Sequence, residues 1–376
     1  MRINPTLRKP SPGVKSKMVA IMPRIINLSD MDKVDLKGMN RVEIERFALD
    51  LGLKPFHGQQ IFRWIYQEGV LDFDSMTDIS RQIRSNLPKK TRIGNLAEIS
   101  RLASSDGSSK FLFGLYDGYR IESILIPEKN RLTLCVSSQA GCALGCRFCA
   151  TGAIGFKRNL SAGEIVDQYL KAQQFASERI SNVVFMGMGE PTLNLKNVLK
   201  ACDILCDDYG PSLSRKRITI STVGVVHALR RFVSSAGKLG LAISLHSSDE
   251  DIRRRIMPVA KDNSIQDILV EARRYTETWG RRVSFEYLLL GGINDSIIDA
   301  RKLVKMIHDI PCKINLIKFN PVDGLLFNRP SEENVQKFKE YLYPRTYAVM
   351  VRESRGLDIS GACGQLAASN KTCSNL

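Results

Sequence analysis

Apolar residues recur at helical spacing near the start of the chain, after a first stretch that has no sustained period. Residues 1–35 are rich in Pro, Lys, Arg and Ser, which favours a flexible basic tail. Residues 36–95 predict a helical accessory domain of three short helices. These are indicated by Asn40 and Glu43 as a capping box, by Ile61, Trp64 and Ile65, and by Ile79, Ile83 and Leu87 before Pro88.

The hydrophobic period then changes to two, which predicts an antiparallel β meander over residues 96–127. Asp106-Gly107 and Asp117-Gly118 mark its turns. Glu122 lies on the last strand of this meander, where most glutamates simply face solvent.

Residues 128–357 alternate strand and helix patterns, which predicts a parallel α/β sheet curved into a partial, open βα barrel of about six strands. The six strands are predicted near 132–137, 182–186, 217–222, 238–245, 283–290 and 314–319. A final strand near 347–352 leads into a C-terminal loop, 358–376, in which glycines bracket Cys363. Catalytic groups of such barrels lie at the C-terminal ends of the strands.

The charge and cysteine content narrow the class of protein. The 55 basic and 39 acidic residues leave a net charge of +16, which favours a nucleic-acid partner, although a general solubility role explains it too. No apolar run reaches the roughly 18 residues of a membrane span, and no signal peptide is visible, so we expect a cytoplasmic protein without membrane contact. Nine cysteines in such a protein favour metal binding or catalysis over structural disulfides.

The motif with the most chemical information follows the first barrel strand. Cys142, Cys146 and Cys149 form a CxxxCxxC run with glycines that allow it to wrap a metal. Structural zinc, with Cys135 as a fourth ligand, is one interpretation. A [4Fe-4S] cluster is the other, because three cysteines leave one iron open to a cofactor.

The placement of this motif resembles the radical S-adenosylmethionine (SAM) superfamily, and Gly187-Met188-Gly189-Glu190-Pro191 resembles the segment that receives the SAM amino group there. The segments CVSSQAGCALGCRFCATG, MGMGEPTLN, ISTVG, SLHSS, FNPV and GACGQL are similar to the RlmN family of RNA methyltransferases and occur in the family's order. The resemblance implies a methyltransferase that modifies carbon-2 of an adenosine in 23S ribosomal RNA and in tRNA. It also implies a [4Fe-4S] cluster and two SAM molecules per turnover.

By the same resemblance, three residues are catalytic. Cys363 takes a methyl group from the first SAM, and the radical made from the second activates that thiomethyl group for addition to the base. Glu122 then removes a proton from the base, and Cys135 attacks Cys363, so that a disulfide forms as the product leaves. Without the family, Cys363 would be interpreted as a small buried side chain.

The family's SAM contacts correspond to seven residues of this chain, all near strand ends: Gly189, Glu190, Ser221, Ser244, Leu245, His246 and Asn320. Lys157-Arg158 and Arg253-Arg254-Arg255 follow strands, so we expect them to contact RNA phosphates. The resemblance also implies an electron donor such as flavodoxin or ferredoxin, and we expect a monomer. Two alternatives remain at this point: a Cfr-type enzyme that methylates carbon-8, and a non-catalytic metal-bearing RNA-binding protein.

Overall fold

The computed structural model of this protein describes residues 33–321 and 324–367. The predicted basic tail therefore lies outside the described residues except for its last positions. The same is true of residues 368–376, which include Cys373.

The N-terminal segment folds into the helical module that its hydrophobic pattern predicts. Asn40 and Glu43 form the capping box: the Asn40 side chain accepts from the Glu43 N–H at 2.9 Å, and the Glu43 carboxylate accepts from the Asn40 N–H at 2.8 Å. Two short strands pair in parallel across the module. Its elements are β1 (Val34–Asp35), α1 (Arg41–Asp50), α2 (Pro55–Tyr66), α3 (Arg81–Lys90) and β2 (Thr91–Arg92).

The third helix differs from its predicted bounds at both ends. Ser80 caps it by accepting from the Ile83 N–H, so Ile79 lies before the helix, where it is buried. Pro88 lies inside the helix, which continues to Lys90. A proline is tolerated there because the helix ends two residues later, so its missing N–H removes only one backbone hydrogen bond.

The predicted meander is present and continues directly into the main sheet. Gly107 and Gly118 adopt φ values of +86° and +85° in its two turns, a conformation that favours glycine. Its last strand pairs antiparallel with the first barrel strand, so the sheet has no break at residue 127. The strands concerned are β3 (Ala97–Ala103), β4 (Ser109–Gly114), β5 (Arg120–Glu128) and β6 (Arg131–Cys135).

The described sheet has ten strands in the order β14-β13-β12-β11-β10-β9-β6-β5-β4-β3, and seven of them are parallel. Six of the parallel strands are those predicted for the barrel, and the seventh is the predicted final strand, which also pairs in parallel with its neighbour. The sheet begins and ends in unpaired edges, which confirms an open barrel. The remaining strands are β7 (Gln139–Ala140), β8 (Arg158–Asn159), β9 (Asn182–Phe185), β10 (Ile218–Thr222), β11 (Gly240–Ser244), β12 (Val283–Leu289), β13 (Cys312–Lys318) and β14 (Val349–Arg352).

Helices connect the parallel strands and cover one face of the sheet. The two faces are evident on β12, where Phe285 and Tyr287 pack towards the helices while Glu286 between them points to the opposite, inner face. The Tyr287 ring lies 5.2 Å from that of Phe338 in the last helix. The helices are α4 (Ala150–Ile154), α5 (Ala162–Phe175), α6 (Leu195–Cys206), α7 (Val226–Ser235), α8 (Glu250–Ile256), α9 (Ile265–Trp279), α10 (Ile297–Ile307) and α11 (Glu332–Leu342).

The N-terminal module is attached to the barrel by a buried ion pair. The Lys37 ammonium lies 2.6 Å from the Asp167 carboxylate on α5, and both side chains are almost fully buried. Asp167 also accepts from the Leu96 N–H at 2.6 Å. The apolar core of the module is continuous with that of the barrel, so the two share one hydrophobic core. None of the helices within the described ranges has the length and apolar character needed to cross a membrane.

Candidate active site

The three-cysteine loop lies between β7 and α4, and local backbone contacts fix its shape. Gly141 has φ +75°, and a Cβ there would lie 1.8 Å from the Gly155 carbonyl oxygen, so this position requires glycine. The Cys142 N–H donates to that same carbonyl at 3.2 Å, and the Cys149 N–H donates to Cys146 O at 3.1 Å. These contacts hold the three cysteines on one tight turn.

The electrostatics of these thiols fit an iron-sulfur cluster. Burial, with smaller contributions from Glu190 and Cys149, raises the pKa of Cys142 to about 11, and burial with the two neighbouring cysteines raises that of Cys146 well above its usual value. Three partly buried thiolates would therefore repel one another unless a cationic group lay between them. Within the described residues, no three His, Cys, Asp or Glu side chains converge on a single metal ion. A cluster does not need such convergence, since each cysteine binds a different iron.

An apolar cap surrounds the cysteine loop. The ring of Phe148 lies edge-on to that of His246 at 5.0 Å, and both are buried. Behind them is a small apolar cluster that Cys146 and Cys149 contact; it consists of Ile256, Met257, Ala260, Leu288, Leu290, Ile317 and Phe319 with Phe148. The cap therefore gives this side of the loop an apolar environment.

Glu190 has the environment expected of a group that binds an ammonium. It is 2% exposed, and burial raises the pKa of its carboxyl. Its carboxylate accepts from the Thr192 hydroxyl at 2.6 Å and from the Val223 N–H at 3.0 Å, both of which are neutral donors. Gly189 beside it has φ +97°, and a Cβ there would collide with Gln139, so this turn also requires glycine. A bound cation would offset the cost of burying the Glu190 charge.

Of the other predicted SAM contacts on the third and fourth barrel strands, two lie on the inner face and one does not. Ser221 and Ser244 are half-buried near the ends of β10 and β11. Leu245 is fully buried in the main apolar core, and its N–H and C=O bond to Glu286 O and to the Arg253 side chain. The structure therefore does not bring the Leu245 side chain into the site.

His246 follows at φ +58° and is held by backbone contacts. Its Nδ1 accepts from the Leu288 N–H at 3.0 Å, which leaves the proton of the neutral ring on Nε2. Burial, with a smaller contribution from Arg253, lowers the pKa of His246 to about 3. His246 is therefore a neutral group at physiological pH that can donate one hydrogen bond.

Asn320, just after β13, has a buried amide whose NH2 group is unused. Its Oδ1 accepts from the Ser354 hydroxyl at 2.7 Å, but its Nδ2 has no hydrogen-bond partner in the described structure. A buried unsatisfied amide is costly, and a ligand oxygen or ring nitrogen would satisfy it. The side chains of Glu190 and Asn320 thus fit a polar ligand such as SAM.

The C-terminal segment crosses the barrel mouth and brings Cys363 to the cysteine loop. The Ala150 N–H donates to Gly364 O at 2.8 Å, and the Thr151 hydroxyl donates to Leu366 O at 2.6 Å, so this segment is docked on α4. Cys363 is exposed on this segment. The pKa of its thiol is raised, because surrounding protein atoms desolvate it and Glu286 and Cys149 lie nearby, although Arg352 lowers it.

Cys135 lies on the inner face at the end of β6 and is an electrostatic neighbour of Cys363. Burial raises the pKa of Cys135 to about 12, and Cys363 is the second cause. Both cysteines are free thiols, so the disulfide expected from the resemblance is not part of this structure.

Glu122 is buried, in contrast to most glutamates on a meander strand. It is 5% exposed, and its Oε2 accepts from the Ala367 N–H at 2.9 Å. The Lys110 ammonium lies 3.3 Å from its other oxygen. Glu122, Cys135 and Cys363 are therefore brought to the same side of the sheet, beneath the C-terminal segment.

The predicted phosphate contacts are only partly available. Arg253 is fully buried and donates to the carbonyls of Val223 at 2.6 Å, Asn263 at 3.1 Å and Leu245 at 3.2 Å. Arg158 is held by two carboxylates, those of Asp117 and Glu164. Sequence position alone was misleading here, because these arginines organise the strand-end loops instead of facing solvent.

Two buried polar residues on the inner face were not predicted from the sequence as site residues. Glu286 on β12 and Asn315 on β13 are register partners, and Asn315 Nδ2 donates to Glu286 Oε1 at 2.7 Å. The available signal was the strand VSFEYLLL, in which a single charge interrupts an apolar run and shares its face with Ser284.

Comparison with known proteins agrees with this geometry. Residues 34–93 match the Ribosomal RNA large subunit methyltransferase N-terminal domain, and residues 136–304 match the Radical SAM superfamily. The dual-specificity RNA methyltransferase RlmN of Geobacter sulfurreducens is 44% identical over 89% of this chain and 92% of its own. That of Syntrophobacter fumaroxidans is 44% identical over 90% of this chain and 99% of its own. A crystal structure of a radical SAM methyltransferase from Sphaerobacter thermophilus is 37% identical, with a TM-score of 0.85, and covers 89% of this chain and 100% of that one.

Proposed function

The chain belongs to the RlmN family of radical SAM RNA methyltransferases, and from this premise we propose that it methylates carbon-2 of an adenosine in 23S ribosomal RNA and in tRNA, with Cys363 as the methyl carrier. The observation that carries this proposal is the position of Cys363, whose segment is docked on α4 by the Ala150 N–H and which is an electrostatic neighbour of both Cys149 in the loop and the second thiol, Cys135. One thiol can then carry the methyl group while the other releases it.

The cofactors are a [4Fe-4S] cluster and SAM. Cys142, Cys146 and Cys149 would hold the cluster, and Glu190, Asn320, Ser221, Ser244 and His246 would hold SAM. When bound, these groups supply both the methyl group and the radical that activates it. Carbon-2 of adenine is electron-poor and has no lone pair, so it cannot attack a sulfonium directly.

The chain's own groups have three tasks in this scheme. The Cys363 sulfur accepts the methyl group, for which it must lose its proton, and its raised pKa makes this step dependent on a nearby base or on the approach of the cationic sulfonium. Glu122 takes the proton from carbon-2 of the base. Cys135 attacks the Cys363 sulfur, so that a transient sulfur-sulfur bond forms as the sulfur-carbon bond breaks, and the released carbon takes the electron pair and a proton to become the methyl group of the product.

The remaining features of the proposal concern partners. The helical module contributes to RNA docking, because α3 has only basic charges and exposes Arg81, Lys89 and Lys90. A flavodoxin or ferredoxin supplies electrons, and the enzyme acts as a monomer. Ribosomal RNA and tRNA as substrates place its work in the cytoplasm.

The test uses a Cys135→Ala enzyme with its cluster intact. Cys363 can still be methylated and the base still attacked, but no thiol is available to cut the carbon-sulfur bond. We expect a covalent RNA-protein species that survives denaturing gels and disappears on nuclease treatment. Cys206→Ala, which removes a half-buried thiol on α6, should turn over normally.

Two results would contradict the proposal: normal turnover by the Cys135→Ala enzyme, or SAM cleavage without any adduct. Adding Cys363→Ala to the variant should abolish the adduct, which tests the carrier role. Mass analysis of the nucleosides made by the unmodified enzyme separates carbon-2 from carbon-8 methylation. An absence of SAM cleavage would favour the non-catalytic alternative.

A further inference from the structure

The inner face of the barrel holds two buried hydrogen-bond acceptors that the scheme above does not use. Glu286 and Asn315 are 3% and 1% exposed. Each uses one side-chain atom in the 2.7 Å bond between them, but Glu286 Oε2 and Asn315 Oδ1 have no hydrogen-bond partner in the described structure. The guanidinium of Arg352 is 3.9 Å from Glu286 Oε2, which is too long for a hydrogen bond.

Two such atoms on neighbouring strands are unusual, because buried polar atoms are nearly always satisfied. The strands pair in register at these residues, so the two acceptors face the same part of the barrel interior. A partner that satisfies both must present two donors on one small group. A primary amino group on a planar ring does this, because its two N–H bonds diverge in one plane.

The location indicates which ring this is. Glu286 is an electrostatic neighbour of Cys363, the proposed methyl carrier, and Asn320, one of the groups that fit SAM, bonds to Ser354. Leu288 and Ile317 follow Glu286 and Asn315 by two residues on the same face of their strands, and both belong to the apolar cap. A flat base could thus lie against the cap with its polar edge at Glu286 and Asn315.

We propose that Glu286 and Asn315 bind the exocyclic amino group of the target adenine and so select adenine as the base presented to Cys363. This inference rests on the proposed function, since it assumes that the base is methylated at Cys363. A hypoxanthine in the same place would direct its own carbonyl oxygen at two acceptors and be rejected. The adenine of SAM carries the same amino group, so the test must distinguish the two sources.

The experiment compares target RNAs that carry adenosine, purine riboside or inosine at the methylated position. For the unmodified enzyme we expect kcat/KM to be about 100-fold lower with purine riboside than with adenosine, from the loss of two buried hydrogen bonds. Inosine should be poorer still. In Glu286→Gln, the adenosine value should fall by about 10-fold or more while the purine value changes little, because purine never used this contact.

Ser284→Ala is the matched control, since Ser284 lies on the same strand and face as Glu286. It should keep the full preference for adenosine. SAM affinity, measured without RNA, should be unchanged in Glu286→Gln, which shows that the variant is folded and that the adenine of SAM is bound elsewhere.

Three outcomes would overturn the inference. The first is that the ratio of kcat/KM for the adenosine RNA to kcat/KM for the purine riboside RNA is the same in the unmodified enzyme and in Glu286→Gln. The second is weakened SAM binding with an unchanged ratio, which would assign the pair to SAM. The third is a similar loss in Ser284→Ala. Failure of the proposed function looks different, because the unmodified enzyme would then methylate none of the three RNAs.

Discussion

The two faces of the barrel sheet obey different rules, although they alternate along the same strands. On the outer face, residues such as Phe285 and Leu316 are fully buried against helices and carry no polar side-chain atoms. On the inner face, Glu286, Asn315 and Glu190 are buried as deeply but are incompletely satisfied or have neutral partners only. Burial therefore stabilises the fold on one face, and on the other it costs free energy that ligands can offset.

The largest expected difference between the faces is an all-or-none loss of activity on the inner side. Cys146→Ala should lose most of its bound iron and show no detectable SAM cleavage, because two thiolates cannot hold the cluster. Without the cluster, the unmodified protein and Cys146→Ala should nevertheless have the same unfolding midpoint, since the loop adds little to the outer core. Iron content and circular dichroism check this, with Cys206→Ala as the control. Full iron content in Cys146→Ala would refute the ligand assignment.

On the outer face the same strand should show the opposite behaviour. Phe285→Ala removes a fully buried ring next to Glu286, and we expect a loss of about 3–5 kcal/mol in the free energy of unfolding. Glu286→Gln, one residue away, should be neutral or stabilising near pH 7, because burial raises the pKa of Glu286 and its ionised form is disfavoured. Denaturant titration measures both. Equal destabilisation by the two variants would remove the distinction between the faces.

The attachment of the N-terminal module provides a third comparison. Lys37→Met leaves Asp167 buried without its cation, which we expect to cost about 3 kcal/mol. The double variant Lys37→Met/Asp167→Leu should recover part of that loss, since an apolar pair has no charge to desolvate. Recovery would remain incomplete because Asp167 also accepts from the Leu96 N–H. A double variant no better than Lys37→Met would show that the charge is not the cause.

The shared core also changes how the module's role can be tested. Deletion of residues 1–95 would expose the face of α5 around Asp167, so a loss of RNA binding could reflect damage to the barrel. Surface changes on α3, such as Lys89→Glu with Lys90→Glu, leave that contact intact. They are the cleaner test of RNA docking.

The sequence predicted those features that depend on local pattern. The capping box at Asn40, the glycine turns and the order of the strands follow from the identities of neighbouring residues, and the structure confirms them. The burial of Arg253 and Glu122 and the pairing of Glu286 with Asn315 depend on which strands meet and in what register. The hydrophobic period along a strand does not show which strand lies beside it or in what register. The family resemblance named Glu122 and Cys363 as catalytic, and the fold adds why they lie together.

The smallest expected effect concerns His246, which is neutral because it is buried on the inner side of the mouth. Its pKa is about 3 in the folded protein, against about 6.5 in an unfolded chain. Between these two pH values His246 is protonated in the unfolded state but not in the folded state. It therefore leaves the free energy of unfolding unchanged above about pH 6.5 and lowers it as the pH falls below 6.5. The limiting slope for one proton is about 1.4 kcal/mol per pH unit.

The variant His246→Asn should lack this slope. Asparagine tolerates φ +58°, and its side-chain oxygen can still accept from the Leu288 N–H. Glu190 and Glu286 affect the pH dependence of stability in the opposite direction, because their raised pKa values favour the folded state as they take up protons. Both glutamates are present in the unmodified protein and in His246→Asn, so their effect cancels in the difference between the two. Urea unfolding from about pH 7 to about pH 5.5 measures that difference, which is then about 1.4 kcal/mol. His308→Asn, at an exposed histidine after α10, is the comparison for simple removal of a histidine. Parallel stability curves for the unmodified protein and His246→Asn would mean that burial does not keep this residue neutral.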